Sequence, residues 1–347
     1  MAITQKEIGE LVGVSQVTVS KALRGAPGVR EEVRQQVLRV AQERHYQPNR
    51  LAYQMLTQRT QTLALILPAL ELPGMAGLAQ GAILEASRSG HVLWVLLTEG
   101  RAQRQQKCLE ELRGRRPDAI VAVPVEGTAD ADGWQFLHDD GFPLVVVGAT
   151  APLGGWAYQV RADDREGAQR AVRHLLRLGH RAIAHLGGAP HLATSQRKLE
   201  GYRQALAEAR IAFRPEWVVA VEEPGEAASA MQLLRSLPNR PTAVFAASDR
   251  AAVEAIGLLA EMGEQVPQEL AIVGYGDEYE TAPGMRVPLT TVRVPRQELG
   301  RAAVKVALTV LRRPDYPVRD TALTTELVIR DSCGAASVVG RPEQADS

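Results

Sequence analysis

The sequence predicts an α/β protein in which a small helix-turn-helix head precedes a two-lobed body of doubly wound parallel sheets. Three observations predict it. Residues 4–21 read as two short helices joined by a glycine turn. The first 60 residues carry nine Lys and Arg against five Glu, a net +4; the whole chain balances 40 basic against 40 acidic residues, so the remainder carries −4. Beyond residue 60, apolar strand-like runs alternate with helical ones, and the alternation restarts midway.

In the head, Thr4 and Glu7 stand at capping-box spacing, where a hydroxyl and a carboxylate three residues apart satisfy two orphan backbone donors reciprocally. Ile8 and Leu11 fall on one face of the helix that follows. Gly13 takes positive φ at low cost and marks its stop. Ser15 is placed to cap the second helix, and Val19, Ala22 and Leu23 supply that helix with a buried side. Its other side shows Gln16, Val17, Ser20 and Lys21, with Thr18 beside them. In a helix-turn-helix the first turns of the second helix enter the major groove. There Gln pairs with adenine, Lys with guanine, and a Val side chain touches a thymine methyl; Ser and Thr hydroxyls contact phosphate and set register. The plainer reading is a solvated helical hairpin. The basic charge of this end favours a polyanionic partner.

The body follows in order. Strands are expected at 62–67, 91–97, 118–123, 143–147 and 156–160, with helices near 75–89 and 101–113 between them. The pattern restarts with a helix over 164–178. Strands at 182–186, 217–221, 242–246 and 270–273 then interleave with helices near 196–210, 227–237 and 249–262. Strand-helix alternation implies parallel sheets covered by helices. Two successive units of similar size suggest two lobes, and ligands of such sheets bind beyond the carboxyl ends of the strands.

Length and composition bound the function. With 347 residues, 45% of them hydrophobic, two or three domains with a large core are expected. Cys108 and Cys333, far apart, indicate no disulfide framework. No apolar run reaches membrane-spanning length, and the N-terminus is polar helix rather than a signal peptide, so a cytoplasmic protein with no membrane partner is expected. His174, His180, His185 and His191 match no metal-ligand spacing, and structural roles are expected for them. Neither G-x-G-x-x-G, a phosphate loop nor a G-x-S-x-G elbow occurs. No cofactor, no metal and no catalytic residue is assigned.

From Thr4 to about Ser332 the chain resembles the LacI/GalR family of bacterial transcription regulators. The resemblance rests on motifs in order. They are Val14-Ser15 and Thr18-Val19-Ser20-Lys21; Tyr46-Gln47-Pro48-Asn49-Arg50-Leu51-Ala52; Asp163-Asp164-Arg165-Glu166-Gly167-Ala168; Leu178-Gly179-His180-Arg181-Ala182-Ile183; Leu199-Glu200-Gly201-Tyr202; Ser248-Asp249; Val273-Gly274-Tyr275-Gly276-Asp277; and Pro288-Leu289-Thr290-Thr291-Val292. It implies a periplasmic-binding-protein-like body with lobes interleaved in sequence. The implied domains are a head over 1–47, a hinge helix and linker over 48–60, an effector-binding and dimerisation body over 61–332, and a flexible tail over 333–347. Within the body, one lobe takes about 61–161 and 293–321, the other about 162–292 and 322–332. A homodimer reading a pseudo-palindromic operator on double-stranded DNA is implied; the tail shows no leucine heptad for a tetramer. The implied hinge helix forms on the operator and wedges an apolar side chain, here Met55, into the minor groove. The DNA-contact set is thus Thr4, Ser15, Gln16, Val17, Thr18, Ser20, Lys21, Arg24, Asn49, Arg50, Ala52 and Met55. Arg24 and Arg30 stand where small polar residues are usual.

The cleft departs from the family. The usual arginine before the Leu-x-Gly motif is Lys198; the usual aspartates after the fourth strand and after Val-Gly-Tyr are Gly148 and Gly276; the asparagine of the Asn-Asp pair is Ser248, with Asp249 kept. Ala122 replaces an asparagine of sugar-responsive relatives, and Val221 aligns with a stacking aromatic. An unmatched sugar hydroxyl costs about 1–3 kcal/mol, so a sugar bound in the usual manner is not expected. A less polar or differently placed ligand, a protein or small co-effector, and no effector at all stay open. Leu72 and Met75, beside Gly74, with Arg161, Lys198, Ser248, Asp249 and Arg296, form the expected effector set. The expected function is a sequence-specific DNA-binding repressor whose cleft modulates DNA affinity. The rival readings are a periplasmic-type solute-binding protein, which has no use for a basic head, and a cleft enzyme, for which catalytic groups are missing.

Overall fold

The computed structural model describes residues 3–23, 25–46, 59–125, 131–148, 156–278 and 287–335, the side chains of residues 131 and 132 excepted. The chain forms two compact units, 1–60 and 61–347.

In the first unit, α1 (Gln5–Val12), α2 (Gln16–Leu23) and α3 (Glu31–Glu43) enclose Ile8, Val19, Ala22, Val37 and Ala41. The capping box is complete: the Thr4 hydroxyl accepts from the Glu7 amide and the Glu7 carboxylate accepts from the Thr4 amide at 2.7 Å. The Thr4 amide, and then the Thr4 hydroxyl, which also donates to it, hold the Glu7 carboxyl below its ordinary value. Gly13 ends α1 at φ +75°. Leu11 corrects the sequence reading: it is 55% exposed, and Val12 packs on the core instead. A step of four residues returns closer to the Ile8 direction than a step of three.

In the second unit, the first lobe holds β1 (Thr62–Leu67), α4 (Met75–Arg88), β2 (Val92–Leu97), α5 (Ala102–Arg115), β3 (Ala119–Ala122), α6 (Ala131–Asp139), β4 (Leu144–Val147) and β5 (Tyr158–Ala162). The second lobe holds α7 (Asp164–Arg177), β6 (Ile183–Gly187), α8 (Ala193–Glu208), β7 (Val218–Ala220), α9 (Glu226–Ser236), β8 (Ala243–Ala246), α10 (Asp249–Glu261), β9 (Ala271–Gly276) and β10 (Thr290–Arg293). The chain then returns to the first lobe as α11 (Arg296–Arg312) and β11 (Asp320–Leu323), and ends in the second as β12 (Glu326–Val328). The strand orders are β11-β5-β4-β3-β1-β2 and β12-β10-β9-β8-β6-β7, so β1 to β5 correspond to β6 to β10 one by one. Every pairing is parallel except β10 with β12.

Buried strands explain the apolar runs. β1, β3, β4, β8 and β9 are buried at every residue because helices cover both faces. Each fully buried Leu or Ile here is worth about 1.5–3 kcal/mol relative to exposure. α4 and α11 pack backbone to backbone on the first sheet: a side chain at Gly81 would meet the Gln297 carbonyl, and one at Gly300 the Leu78 carbonyl. Residue 333, placed in the tail by sequence, belongs to the core. Cys333 is 1% exposed, its sulfur 3.3 Å from His174 Nε2 and accepting from the Thr290 hydroxyl at 3.2 Å.

Candidate functional site

In the head, the Ser15 hydroxyl accepts from the Thr18 amide at 3.2 Å and pairs with the Thr18 hydroxyl at 2.9 Å, fixing the start of α2. Gln16, Val17 and Lys21 are exposed on the outer face, Val17 to 64%, while Thr18 and Ser20 are half-buried beside them. An exposed valine flanked by an amide and an ammonium is suited to a base edge bearing a thymine methyl. Thr4 is exposed, its hydroxyl donating to Glu7 at 2.9 Å. Lys6, absent from the sequence-derived set, lines one shallow groove with Ser15 and Gln16; being on α1, it carried no recognition-helix signal. Arg24, Asn49, Arg50, Ala52 and Met55 lie outside the described residues.

In the body, the expected effector residues divide. Lys198, on α8, donates to the Ala247 carbonyl at 3.0 Å and lies 4.2 Å from the centre of the Tyr275 ring. Burial lowers its pKa, opposed by Asp164 and reinforced by the charge of Arg296. Tyr275 donates its phenol to Asp164 at 2.9 Å. Burial, then Asp164, pushes that phenol far up. Arg296, the first residue of α11, meets Glu278 of the other lobe at 3.4 Å.

Asp249 and Arg161, both in the expected effector set, are engaged within the protein. Asp249 does not cap α10; Ser248 does, accepting from the Ala251 amide at 3.2 Å. Asp249 turns inward, 1% exposed, accepting from the Thr291 hydroxyl at 2.5 Å and the Glu278 amide at 2.8 Å. Burial raises its carboxyl, those bonds opposing. Arg161 is committed to Asp320 at 2.8 Å and to the Ala162 carbonyl, tying β5 to β11 rather than facing a ligand. Val221, standing where the family's stacking aromatic is usual, is core, 5% exposed. Leu72 is 46% exposed and Met75 packs on the first-lobe core. Gly148 (φ +107°) opens on empty space and Ala122 is fully buried, so neither position offers a polar group.

Sequence reasoning missed Asp277 and Glu278. Asp277, its side chain 2% exposed, binds Arg293 at 2.6 Å and Arg330 at 2.7 Å, joining β10 to the segment after β12. Among the described residues no group of His, Cys, Asp or Glu is arranged to hold a metal ion, and no helix is long and apolar enough to cross a membrane.

Comparison with known proteins fits this geometry. Residues 4–49 match the family described as bacterial regulatory proteins, lacI family, and residues 172–333 match a periplasmic binding protein-like domain. The ribose operon repressor of Haemophilus influenzae is 31% identical over 335 residues, covering 95% of this chain and 98% of that one. The solved complex of the transcriptional regulator CelR with cellobiose is 27% identical with a TM-score of 0.71, covering 95% of this chain and 99% of that one. The lac repressor dimer bound to operator and the anti-inducer ONPF shares the fold, with 21% identity, a TM-score of 0.75, and coverage of 96% of this chain and 99% of that one. By the extent of these matches the chain is a DNA-binding regulator of transcription, not an enzyme, and it belongs to the lacI family of bacterial regulatory proteins.

Proposed function

We propose that this regulator is a cytoplasmic homodimeric repressor that reads a pseudo-palindromic operator through α2 and the hinge over 48–60. The domain division is that of head 1–47, hinge 48–60 and body 61–332. The carrying observation is the outward row Gln16, Val17 and Lys21 on a helix fixed by the Ser15 cap and a small buried core. Ser15, Thr18, Ser20, Thr4, Arg24, Asn49 and Arg50 serve phosphates and register, and Met55 wedges the minor groove with Ala52 beside it. A ligand held between the lobes shifts their relative position, and so the spacing of the two hinges and operator affinity. With alanine or glycine at positions 122, 148 and 276, the cleft does not take a sugar in the manner usual for the family.

Selection of bound duplexes from a random pool at two salt concentrations tests the reading. An enriched pseudo-palindrome with a flexible central step supports it; binding without enrichment, fading uniformly with salt, would reduce the head to a generic basic patch. On the selected site, Lys21→Ala is expected to lose about 1–3 kcal/mol of discrimination at one base pair. Equal loss on random DNA refutes the assignment of Lys21.

A further inference from the structure

Gly276, at the end of β9 (φ +137°), leaves a space that another residue fills. A side-chain carbon at Gly276 would lie 2.9 Å from both Cγ and Cδ of Glu278 and 3.0 Å from its Oε1. The Glu278 side chain, 14% exposed, therefore folds back over Gly276 and puts its carboxylate on the position vacated there. Its backbone is held in that turn by the amide donated to Asp249 at 2.8 Å. Across the cleft, Gly74 (φ +78°) forms a matching notch. A side chain there would meet Arg296 Nε at 2.5 Å and Cζ at 3.0 Å, so the guanidinium occupies the first-lobe turn as Glu278 occupies the second-lobe one. Two glycines thus coincide with two long charged side chains that meet between the lobes.

The two cations are loosely paired. Arg296 reaches Glu278 only at 3.4 Å, and its buried Nε has no hydrogen-bond partner. Lys198 is held by a carbonyl and a ring face, with no ion pair within 4.0 Å among the described residues. Arg296 and Lys198 are near enough to repel each other, and each is attracted to Glu278. Asp164 and Asp249 also attract Lys198, but neither forms an ion pair with it, so the two cations could together hold a further carboxylate in the place of Glu278.

We propose that Glu278 is a tethered carboxylate occupying a carboxylate site made by Arg296 and Lys198, and that the effectors of this cleft are small organic acids that displace it. The proposal rests on the regulator reading above, whose ligand it specifies. It accounts for the loss of the usual asparagine at 122 and aspartates at 148 and 276 beside the cations Lys198 and Arg296. In the resting protein the Glu278–Arg296 pair bridges the lobes; an acid that takes both cations frees Glu278 and changes what holds the lobes together.

Chemical rescue of the full-length protein tests it, with acetate as the probe. In thermal melts at matched ionic strength, acetate in place of chloride is expected to raise the midpoint of Glu278→Ala by about 2 °C or more and to move the wild type much less. Adding Lys198→Met or Arg296→Met to that variant is expected to abolish the gain. An equal response to acetate and chloride, or a gain that survives the loss of both cations, overturns the proposal. Should Glu278→Ala fail to fold, Glu278→Ser, which likewise vacates the carboxylate's place but keeps a small polar side chain, undergoes the same measurements with the same consequences. The melts need no DNA. A failed duplex selection therefore removes the regulator reading without touching them, whereas absent rescue beside an enriched palindrome removes the acid site alone.

Discussion

Around the cleft the first lobe carries the buried Ala122, Gly148 and the Gly74 turn, whereas the second carries a buried polar set of Lys198, Tyr275, Asp164, Asp249 and Glu278. Their sheets are wired alike, strand for strand, from β1 to β5 and from β6 to β10. The polar equipment therefore does not come with the architecture. It sits on one lobe, and the other contributes chiefly the guanidinium of Arg296. The crossover strands differ in the same sense. In the second lobe they are tied by Asp277, almost fully buried between Arg293 and Arg330. In the first, Arg161 holds an Asp320 that is 41% exposed.

The largest expected effect breaks the comparison at that tie. Asp277→Ala leaves two arginines without their common partner and is expected to cost about 3–5 kcal/mol in denaturant unfolding; a loss below about 1 kcal/mol would mean the buried cluster is not what joins β10 to the end of the chain. Acid comes next. His174, His180 and His185 all belong to the second lobe, and burial lowers the pKa of each, that of His185 to about 4. The unfolded imidazole takes a proton below its ordinary 6.5 and the folded His185 only below about 4. Its contribution is thus complete above pH 6.5 and falls as pH drops from 6.5 to 4, by up to about 3 kcal/mol. His185→Phe, stacking in the same place between Tyr202 and Phe245, is expected to flatten stability against pH in that window; an unchanged slope assigns the acid sensitivity elsewhere. The smallest effect is Asp320→Asn, under about 1 kcal/mol because its carboxylate is half in water. A cost equal to that of Asp277→Ala would erase the contrast between the crossovers.

What was legible in the sequence was local or repetitive. The Thr4–Glu7 box, the Gly13 stop and the Ser15 cap depend on spacings of a few residues, and the buried strands announce themselves as apolar runs. The alternation is plain to residue 273; α11 carries Leu299, Ala303, Val304, Ala307 and Leu308 at helical spacing, but nothing local says which sheet such a helix covers, and only the family resemblance returns it to the first lobe. The pair Ser248-Asp249 offers two competent caps, and the choice depends on Thr291, 42 residues away, which draws Asp249 inward. Glu278 was illegible for a similar reason. The glycine at 276 looks like a lost acid until the turn shows that the acid stands two residues later.

The exchange of the chain between lobes near its end has a consequence for how the protein ages. Residues 320–323 and 326–328 give each sheet its outermost strand on one side. Cleavage shortly before them would uncover the hydrogen-bonding edges of β5 and β10 together, and uncapped sheet edges are templates for pairing with other chains. One nick would exchange two short, largely exposed edge strands for the longer and more buried β5 and β10, giving each sheet a stickier margin on that side.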